Sequence, residues 1–292
     1  MGLILLRDND ALDVNPPAGE IHLSTHGSDW LWAVTAIYVV SFLAFFALSF
    51  VARSGEKIFH YLFTIGLLAG SIAYFAMASD LAWSVVQQTN SLGEGATRQI
   101  FFAKYVYWVI EFPVVTIALG LLSGVSWATI FFNIGLAWTW ILSYLFSAYT
   151  ETNYKWGFYA FGTVAYLLLA FQTLAGGHRG ATRVGVTRDH TVLAGWVNLL
   201  WLLYPIAFGV SDGGNKIKVT AGFIFFGILD VLLLPVTAFC VLFLARHWDY
   251  GRLNLAFTQY GRVATAPGTY PEKAATAPAG GPVAAEPAAA TV

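Results

Sequence analysis

The stretch GILDVLLLPV, residues 227–236, places one carboxylic acid, Asp230, inside a long apolar segment. A charge at the centre of a bilayer costs at least about 2.5–3.5 kcal/mol, so such a carboxyl must face protein and be either paired or protonated. One helical turn later stands Leu234, whose side chain carries no polar atom. The stretch therefore predicts a membrane helix in a packed bundle, and it raises the question of which groups meet Asp230.

The composition of the whole chain agrees with a membrane protein. Hydrophobic residues make up 58% of the chain and charged residues 11%, whereas soluble domains average about 25% charged residues. Seven segments supply the ~20 apolar residues that a spanning helix needs: 30–52, 59–83, 100–122, 127–148, 156–174, 191–210 and 219–244. Because the connections between them are short, we predict an all-α bundle of seven antiparallel transmembrane helices.

Arginines decide the predicted orientation of this bundle. Arg179, Arg183 and Arg188 follow the fifth segment and precede the sixth, and positively charged loops tend to stay in the cytosol. This places the N-terminus outside and the C-terminus in the cytosol. We divide the chain into an extracellular segment over 1–28, a seven-helix domain over 29–250 and a cytosolic tail over 251–292. The tail is rich in Pro, Gly and Ala, and we expect disorder from about 265.

Ionisable side chains are few within these segments: Asp80, Lys104, Glu111 and Asp230. We expect Asp80 and Lys104 to reach water from the outer ends of their helices, whereas Glu111 and Asp230 lie deeper. Four side chains of the third segment share one helical face: Lys104, Tyr107, Trp108 and Glu111. We predict that Lys104 and Asp230 form an interhelical ion pair, directly or through Tyr107. Two interpretations stay open, a salt bridge that stabilises helix packing and a path for ions or protons.

Several stretches together resemble the microbial rhodopsin family, over about residues 28–250. YWVIEFPVV (107–115), WLLYPIAFGVSDGGNKI (201–217) and GILDVLLLPV are similar to the family, and AYFAMASDLAW (73–83) and YKWGFYAFG (154–162) to its fungal branch. The resemblance implies the seven-helix fold of that family. There, an aspartate on helix seven precedes by one turn the lysine that binds retinal as a Schiff base. Asp230 matches the aspartate, and Leu234 stands at the position of the lysine.

The resemblance also implies that other parts of the photochemical machinery are replaced. Tyr107 stands at the position of the primary counterion and proton acceptor, and a phenol is not a base near neutral pH. Lys104 replaces an arginine of the pumps, and Ala118 stands at the position of the cytoplasmic proton donor. Because Leu234 offers no amine, covalent attachment of retinal is excluded at that position, and we predict no cofactor.

Six residues match positions that line the retinal pocket of the family: Trp108, Trp156, Trp201, Tyr204, Pro205 and Phe208. This vestigial pocket either holds a lipid or a loosely bound retinoid, or is filled by neighbours such as Leu234, which is the more common outcome in a packed interior. The departures from the family resemble fungal opsin-related proteins that lack the retinal lysine. These include heat-shock-induced plasma-membrane proteins implicated in restraining the proton-pumping ATPase. The resemblance implies a stress-response or regulatory role at the plasma membrane, with a membrane protein partner such as a proton ATPase.

Other chemistries find no support in the sequence. No phosphate-binding loop, dinucleotide fingerprint, nucleophile elbow or zinc-protease pattern occurs in a fitting context, so we predict neither enzymatic activity nor a metal site. The lipid bilayer is the expected partner, nucleic-acid binding is not supported, and homo-oligomerisation stays open. The single cysteine, Cys240, excludes an intrachain disulfide, and we expect it in the core. Alternative functions are a passive ion or proton conduit and a noncovalent ligand receptor that uses the vestigial pocket.

Overall fold

The computed structural model describes residues 9–52, 54–253 and 255 of the chain. Within those residues, seven helices are long and apolar enough to cross a membrane: Thr25–Val51, Lys57–Ala78, Phe102–Ser123, Trp127–Tyr149, Lys155–Val184, Thr187–Val210 and Val219–Ala245. We number these helices spans 1 to 7 in chain order. They confirm the predicted seven-helix membrane bundle. The tail that is expected to be disordered from about 265 lies outside the described residues.

Local backbone chemistry moves two helix ends away from their predicted positions. Span 1 begins at Thr25 because Ser24 caps it, its side chain accepting a hydrogen bond from the backbone N–H of Gly27 at 3.3 Å. Span 2 ends at Ala78, earlier than predicted, because Asp80 and Ala82 take positive φ values of 53° and 59°. A helix cannot continue through such left-handed residues.

A β-hairpin connects spans 2 and 3 on the side of the bundle where span 1 begins, which we call the N-terminal side. Strand β1 (Trp83–Gln87) pairs antiparallel with strand β2 (Thr97–Phe101). The chain before span 1 contains a short helix, Ala11–Val14, and a parallel bridge between Ile21 and Arg98 adds that segment to the hairpin. Two 3₁₀ turns complete the connections, Ser54–Glu56 and Leu92–Glu94. The hairpin covers helix ends on this N-terminal side, including the ends of spans 2 and 6.

Two spans contain a turn of π-helix. Span 5 consists of Lys155–Phe171, the π turn Gln172–Gly176 and the α-helix Gly177–Val184. Span 7 consists of Val219–Val231, the π turn Leu232–Val236 and Thr237–Ala245. Pro235 lies inside the second π turn and lacks an N–H. The Thr237 hydroxyl donates to the carbonyl of Leu232 at 3.1 Å, so a side chain supplies a partner to the backbone there.

The core lies around span 3. In its most apolar window 78% of the residues are buried, against 33% in span 1. Chain beyond the predicted end of the helical domain at 250 also packs on the bundle, since Leu253 and Leu255 are buried beside Leu121 and Ile130 of spans 3 and 4. The expectation that Cys240 is a core residue is wrong. Cys240 is exposed on span 7, on the surface that spans 6 and 7 turn away from the core.

Candidate functional site

Asp230 lies in span 7 with its side chain fully buried. Its Oδ2 accepts a hydrogen bond from the hydroxyl of Tyr74 at 2.5 Å, and its Oδ1 accepts one from the hydroxyl of Tyr204 at 2.6 Å. The indole Nε1 of Trp108 donates a third, to Oδ1, at 3.0 Å. These four residues, from spans 2, 3, 6 and 7, form what we call the Asp230 cluster. Both carboxyl oxygens are thus satisfied by neutral donors, which is how a buried acid avoids the cost of an unmet polar group.

Tyr107, predicted to bridge Lys104 and Asp230, has a different partner. Its hydroxyl lies 2.7 Å from the hydroxyl of Tyr38, and Tyr38 donates to the backbone carbonyl of Asp230 at 2.9 Å. Since Tyr38 has only one hydroxyl proton, Tyr107 donates to Tyr38. The Tyr38 ring reaches this position because residue 70 is glycine. A Cβ there would lie 2.3 Å from the ring.

The predicted ion pair between Lys104 and Asp230 is wrong. The Nζ of Lys104 donates to Oδ2 of Asp212 at 2.5 Å, and the hydroxyl of Tyr105 donates to the same oxygen at 2.7 Å. The Nε of Arg98 lies 3.4 Å from Oδ1 of Asp212. We call these residues the Asp212 cluster. Hydrogen bonds between the described side chains join Lys104 to this cluster and not to the Asp230 cluster.

An aromatic ring packs against Lys104 on the side of the Asp230 cluster. The centroid of Phe226 lies 4.3 Å from Nζ of Lys104, close enough for a cation–π interaction. The same ring packs at 5.0 Å on Trp108, which belongs to the Asp230 cluster. The ring of Trp108 itself lies 5.3 Å from the same Nζ. Lys104 therefore meets aromatic rings at the edge of the Asp230 cluster, whereas its hydrogen bond goes to Asp212.

Electrostatics of the Asp212 cluster follow from burial and from the excess of cations. Burial by itself would raise the pKa of the Asp212 carboxyl, but the charges of Lys104 and Arg98 and hydrogen bonds from Lys104 and Tyr105 lower it to about 2. Burial lowers the pKa of the Arg98 guanidinium, and the charge of Asp212 opposes that effect. Arg98 also donates through Nη1 to the backbone carbonyl of Ile217 at 2.7 Å, which holds the connection between spans 6 and 7 against strand β2.

The expectation that Asp80 and Lys104 reach water is also wrong. Their side chains are only 2% and 4% exposed. Asp80 follows span 2, and its Oδ1 accepts a hydrogen bond from Nε2 of Gln99 on strand β2 at 2.7 Å. Burial raises the pKa of the Asp80 carboxyl. Both residues are buried because the hairpin covers helix ends that we expected to be exposed from the sequence.

Glu111 lies in span 3, one turn after Tyr107, and is fully buried. Among the described residues, neither of its carboxyl oxygens has a hydrogen-bond partner. An ionised carboxylate in such a place is far more costly than a neutral one. We therefore expect Glu111 to carry its proton.

Leu234, one turn after Asp230, is fully buried. Its Cδ2 would lie 3.1 Å from a Cβ added to Gly66 of span 2, and Cγ1 of Val114 would lie 3.3 Å from the same point. The Leu234 side chain thus packs directly against the backbone of span 2. The residue at this place in the fold carries no amine.

The predicted pocket residues Trp108, Trp201, Tyr204 and Phe208 are buried in the interior, as is Pro205. Sequence reasoning missed two rings that pack among them: Phe112 lies 5.8 Å from Trp201, and Trp140 lies 4.9 Å from Phe112. The spacing of span 4 carried a signal for Trp140. The buried residues Ala137, Trp140, Ile141 and Tyr144 repeat at helical spacing on one face.

Trp156 does not lie with the other predicted pocket residues. It stands at the start of span 5, half-buried, where its Nε1 donates to Oδ1 of Asn90 at 3.1 Å. Its ring contacts Tyr159 at 5.5 Å, and Tyr159 in turn stacks on Phe208 at 5.8 Å. The hydroxyl of Tyr159 donates to the carbonyl of Pro205 at 3.2 Å. Tyr159 therefore connects Trp156 to the buried pocket residue Phe208.

Metal chemistry has no visible basis in the described part of the chain, which contains no group of three or more His, Cys, Asp or Glu side chains placed to hold a metal ion. Sequence reasoning did not select five polar site residues: Arg98, Tyr105, Asp212, Tyr38 and Tyr74. Asp212 stood in the Gly-rich connection SDGG, where an acid is normally solvated, so its sequence context gave no sign of burial.

Comparison with known proteins adds to this geometry. Residues 25–245 match the family described as bacteriorhodopsin-like protein. Protein FDD123 of Trametes versicolor is 40% identical, over 93% of this chain and 99% of its own. The opsin-like protein carO of Fusarium fujikuroi is 37% identical, over 85% of each chain. The 30 kDa heat shock protein of Saccharomyces cerevisiae is 29% identical, over 86% of this chain and 82% of its own. The crystal structure of the light-driven proton pump LR (Mac) from Leptosphaeria maculans superposes with a TM-score of 0.73 at 28% identity, over 80% of this chain and 99% of the pump.

Proposed function

The chain belongs to the family of bacteriorhodopsin-like proteins, and from this premise we propose that it is an opsin-related membrane protein that holds no covalently bound retinal. One observation carries the proposal. The side chain one turn after Asp230 is Leu234, which is fully buried and packs against span 2. Formation of an imine requires a primary amine, and Leu234 supplies none.

The surroundings of Asp230 satisfy its carboxyl without such an imine. A protonated imine would be a cation that needs a carboxylate beside it. Here the carboxyl already has three neutral donors, from Tyr74, Trp108 and Tyr204. Tyr38 brings a further hydroxyl into the interior beside Gly70. Neutral donors leave the charge of a carboxylate in place, so the misfit with a covalently bound retinal lies at Leu234, and we derive no photochemical step for this chain.

We further propose a non-enzymatic role in stress response or regulation at the plasma membrane, through a membrane protein partner such as a proton ATPase. The support is similarity, since one relative at 29% identity is named a 30 kDa heat shock protein. The bundle exposes large apolar side chains on its outer surface, where a membrane protein partner would pack. Spans 1 and 7 are tied at their N-terminal ends by a hydrogen bond of 2.8 Å between the hydroxyls of Ser24 and Thr220.

Retinal attachment is tested directly on the purified protein. We expect incubation with all-trans-retinal followed by borohydride to leave no retinyl group on the chain after denaturation, and no red-shifted visible band before it. The proton pump from Leptosphaeria maculans, treated in parallel, is the positive control. A retinyl adduct that mass spectrometry maps to one lysine of this chain would refute the proposal.

The role through a partner needs a separate experiment. Tagged protein is captured from native membranes before and after heat shock, and co-purifying proteins are quantified against a tagged light-driven pump as control bait. We expect enrichment of a membrane transporter or ATPase with this chain alone. If the two baits give the same set of proteins, the partner role is wrong, while the conclusion about retinal is unaffected.

A further inference from the structure

An apolar groove lies between spans 6 and 7 on the C-terminal side of the bundle, where span 6 begins and span 7 ends. Its volume is about 640 Å³, within the ~300–1,000 Å³ range of pockets that bind small molecules. The groove is lined by Val192, Trp196, Val236, Phe239, Cys240 and Phe243, among others. It opens on the surface that faces the membrane rather than toward the aromatic interior.

The π turn of span 7 shapes this groove. Val236 ends that turn, and Pro235 within it cannot donate a backbone hydrogen bond. Across the groove, Nε1 of Trp196 donates to the hydroxyl of Thr237 at 3.1 Å, which holds spans 6 and 7 together. Cys240, a small side chain one turn further, leaves open space that a larger residue would fill.

Two exposed arginines stand at the C-terminal mouth of the groove. Arg188 precedes the lining residue Val192 by four positions, so the two lie on one face of span 6. Arg246 follows the lining residue Phe243, and its guanidinium lies 5.7 Å from the Phe243 ring. Two acids stand at these helix ends. Asp189 accepts a hydrogen bond from Nε1 of Trp248 at 2.8 Å, and Oδ1 of Asp249 accepts one from the backbone N–H of Gly251 at 3.0 Å.

The hydrogen bond between Asp189 and Trp248 also holds together the two helix ends that carry the arginines. Asp189 directly follows Arg188 on span 6, and Trp248 comes two residues after Arg246 at the end of span 7. The first turn of span 6, which carries Arg188, and the end of span 7, which carries Arg246, therefore lie side by side at one end of the apolar groove. An elongated apolar ligand with an anionic end matches this distribution of charge.

We propose that the groove is a binding site for an anionic phospholipid. One acyl chain lies along Trp196 and Cys240, and the headgroup phosphate lies between Arg188 and Arg246. Arginine is suited to this contact because its planar donors match phosphate oxygens. The site is independent of the vestigial retinal pocket and of the proposed function.

Native mass spectrometry of the full chain tests the proposal. The protein is taken from nanodiscs that contain phosphatidylserine and phosphatidylcholine with the same acyl chains, and the ratio of retained lipids is measured. We expect preferential retention of one phosphatidylserine. Arg188→Gln and Arg246→Gln should each lower that preference about fivefold, from the roughly 1 kcal/mol that one basic residue contributes at an anionic membrane surface.

Two further variants separate a seated lipid from general surface charge. Arg179→Gln removes an exposed arginine on the same side but away from the groove, and it should leave the preference unchanged. Cys240→Trp fills the groove while both arginines remain, and this variant should no longer retain phosphatidylserine. Melting temperatures in detergent establish that each variant is folded.

The opposite results would overturn the proposal. These are equal retention of the two lipids by the unmodified protein, the same loss in Arg179→Gln as in Arg188→Gln, or full retention in Cys240→Trp. A second copy of the chain is the competing occupant. Because Cys240 is the only cysteine, high-yield disulfide dimers formed by an oxidant in dilute vesicles would show that another copy covers the groove.

Discussion

The Nζ of Lys104 lies 2.5 Å from Oδ2 of Asp212, which is 108 positions later in the chain. Arg98 of strand β2 approaches the other oxygen of the same carboxylate at 3.4 Å. One buried carboxylate therefore holds together span 3, the hairpin and the connection between spans 6 and 7. Two cations share it, so removing Asp212 leaves more charge unmet than removing either cation.

We predict an unequal double-mutant cycle at this pair. Lys104→Met leaves Asp212 with Arg98 still beside it, whereas Asp212→Asn leaves two buried cations without a counterion. The second variant should therefore lose more stability, about 3–5 kcal/mol, which is typical for breaking a buried pair. The double variant should recover part of the loss. Melting in detergent measures these losses, and Lys216→Met, at an exposed lysine, is the control. If the losses of the two single variants add up to that of the double variant, Lys104 and Asp212 are not directly coupled.

The depressed pKa of Asp212 predicts how stability depends on pH. Its folded value of about 2 lies below the ordinary value of 3.8, so ionised Asp212 stabilises the fold above pH 3.8 and this contribution is lost as pH falls to about 2. The difference corresponds to about 2 kcal/mol. The melting temperature of the unmodified protein should approach that of Asp212→Asn over this window. A gap between the two that does not change with pH would contradict the assignment.

The hydroxyl donors to Asp230 should contribute more than a neutral hydrogen bond. Tyr74→Phe and Tyr204→Phe each remove a donor to a carboxylate and should cost about 1.5–3 kcal/mol. Tyr144→Phe is the matched control, because its hydroxyl pairs with neutral Thr163 at 2.8 Å and should cost about 0.5–1.5 kcal/mol. Equal costs for the three variants would mean that Asp230 is not ionised.

Asp230 itself should tolerate an amide better than an alkyl group. Asp230→Asn keeps an oxygen that accepts hydrogen bonds from the surrounding hydroxyls, whereas Asp230→Leu leaves three buried donors without a partner, at about 1–3 kcal/mol for each group. Unfolding in detergent compares the two variants. The same loss in both would show that these hydrogen bonds contribute little to stability.

Substitutions of Glu111 should cost little stability, unlike those of Asp230, since the carboxyl oxygens of Glu111 lack hydrogen-bond partners among the described residues. Glu111→Gln keeps a neutral polar group of the same shape and should change stability by less than about 1 kcal/mol. Glu111→Leu removes the unmet polar group and should raise stability. A large loss in Glu111→Gln would instead show an ionised carboxylate with a specific role, such as the ion conduit considered from the sequence.

Leu234→Lys restores an amine beside Asp230. We expect weak pigment formation with retinal at best and no light-driven acidification, because Tyr107 and Ala118 are unsuited to accept and donate protons near neutral pH. Absorbance and the pH of illuminated vesicles measure this. Leu234→Met, which conserves volume without an amine, controls for altered packing. Robust pumping by the single variant would mean that Glu111 replaces the missing groups.

Much of the fold was readable in the sequence because spans depend on local properties. Apolar length and helical hydrogen bonds within one segment suffice to predict seven helices. The errors lie at helix ends, where other elements act. Span 2 ends early at Asp80, and Asp80 is buried by strand β2 rather than solvated at a helix terminus.

The candidate site was readable only in part. The burial of Asp230 followed from its apolar segment, and Trp108 shared a helical face with Glu111, whereas Tyr204 was selected only through the resemblance to the family's pocket. Tyr38 and Tyr74 were not distinguished from the many aromatic side chains that face lipid or pack in a core. Their role depends on where other spans place them. Tyr74 is a donor only because span 2 brings its hydroxyl to Asp230.

By itself the sequence determined the seven spans, the acid in span 7 and the lack of an amine at Leu234. Only the tertiary structure decided that Lys104 meets Asp212 and that three neutral donors meet Asp230. The reason is that interaction energies between charges depend on distance and on exclusion of water. Both are properties of the packed chain, so an acid in a Gly-rich connection became a buried counterion only when the hairpin and span 3 closed over it.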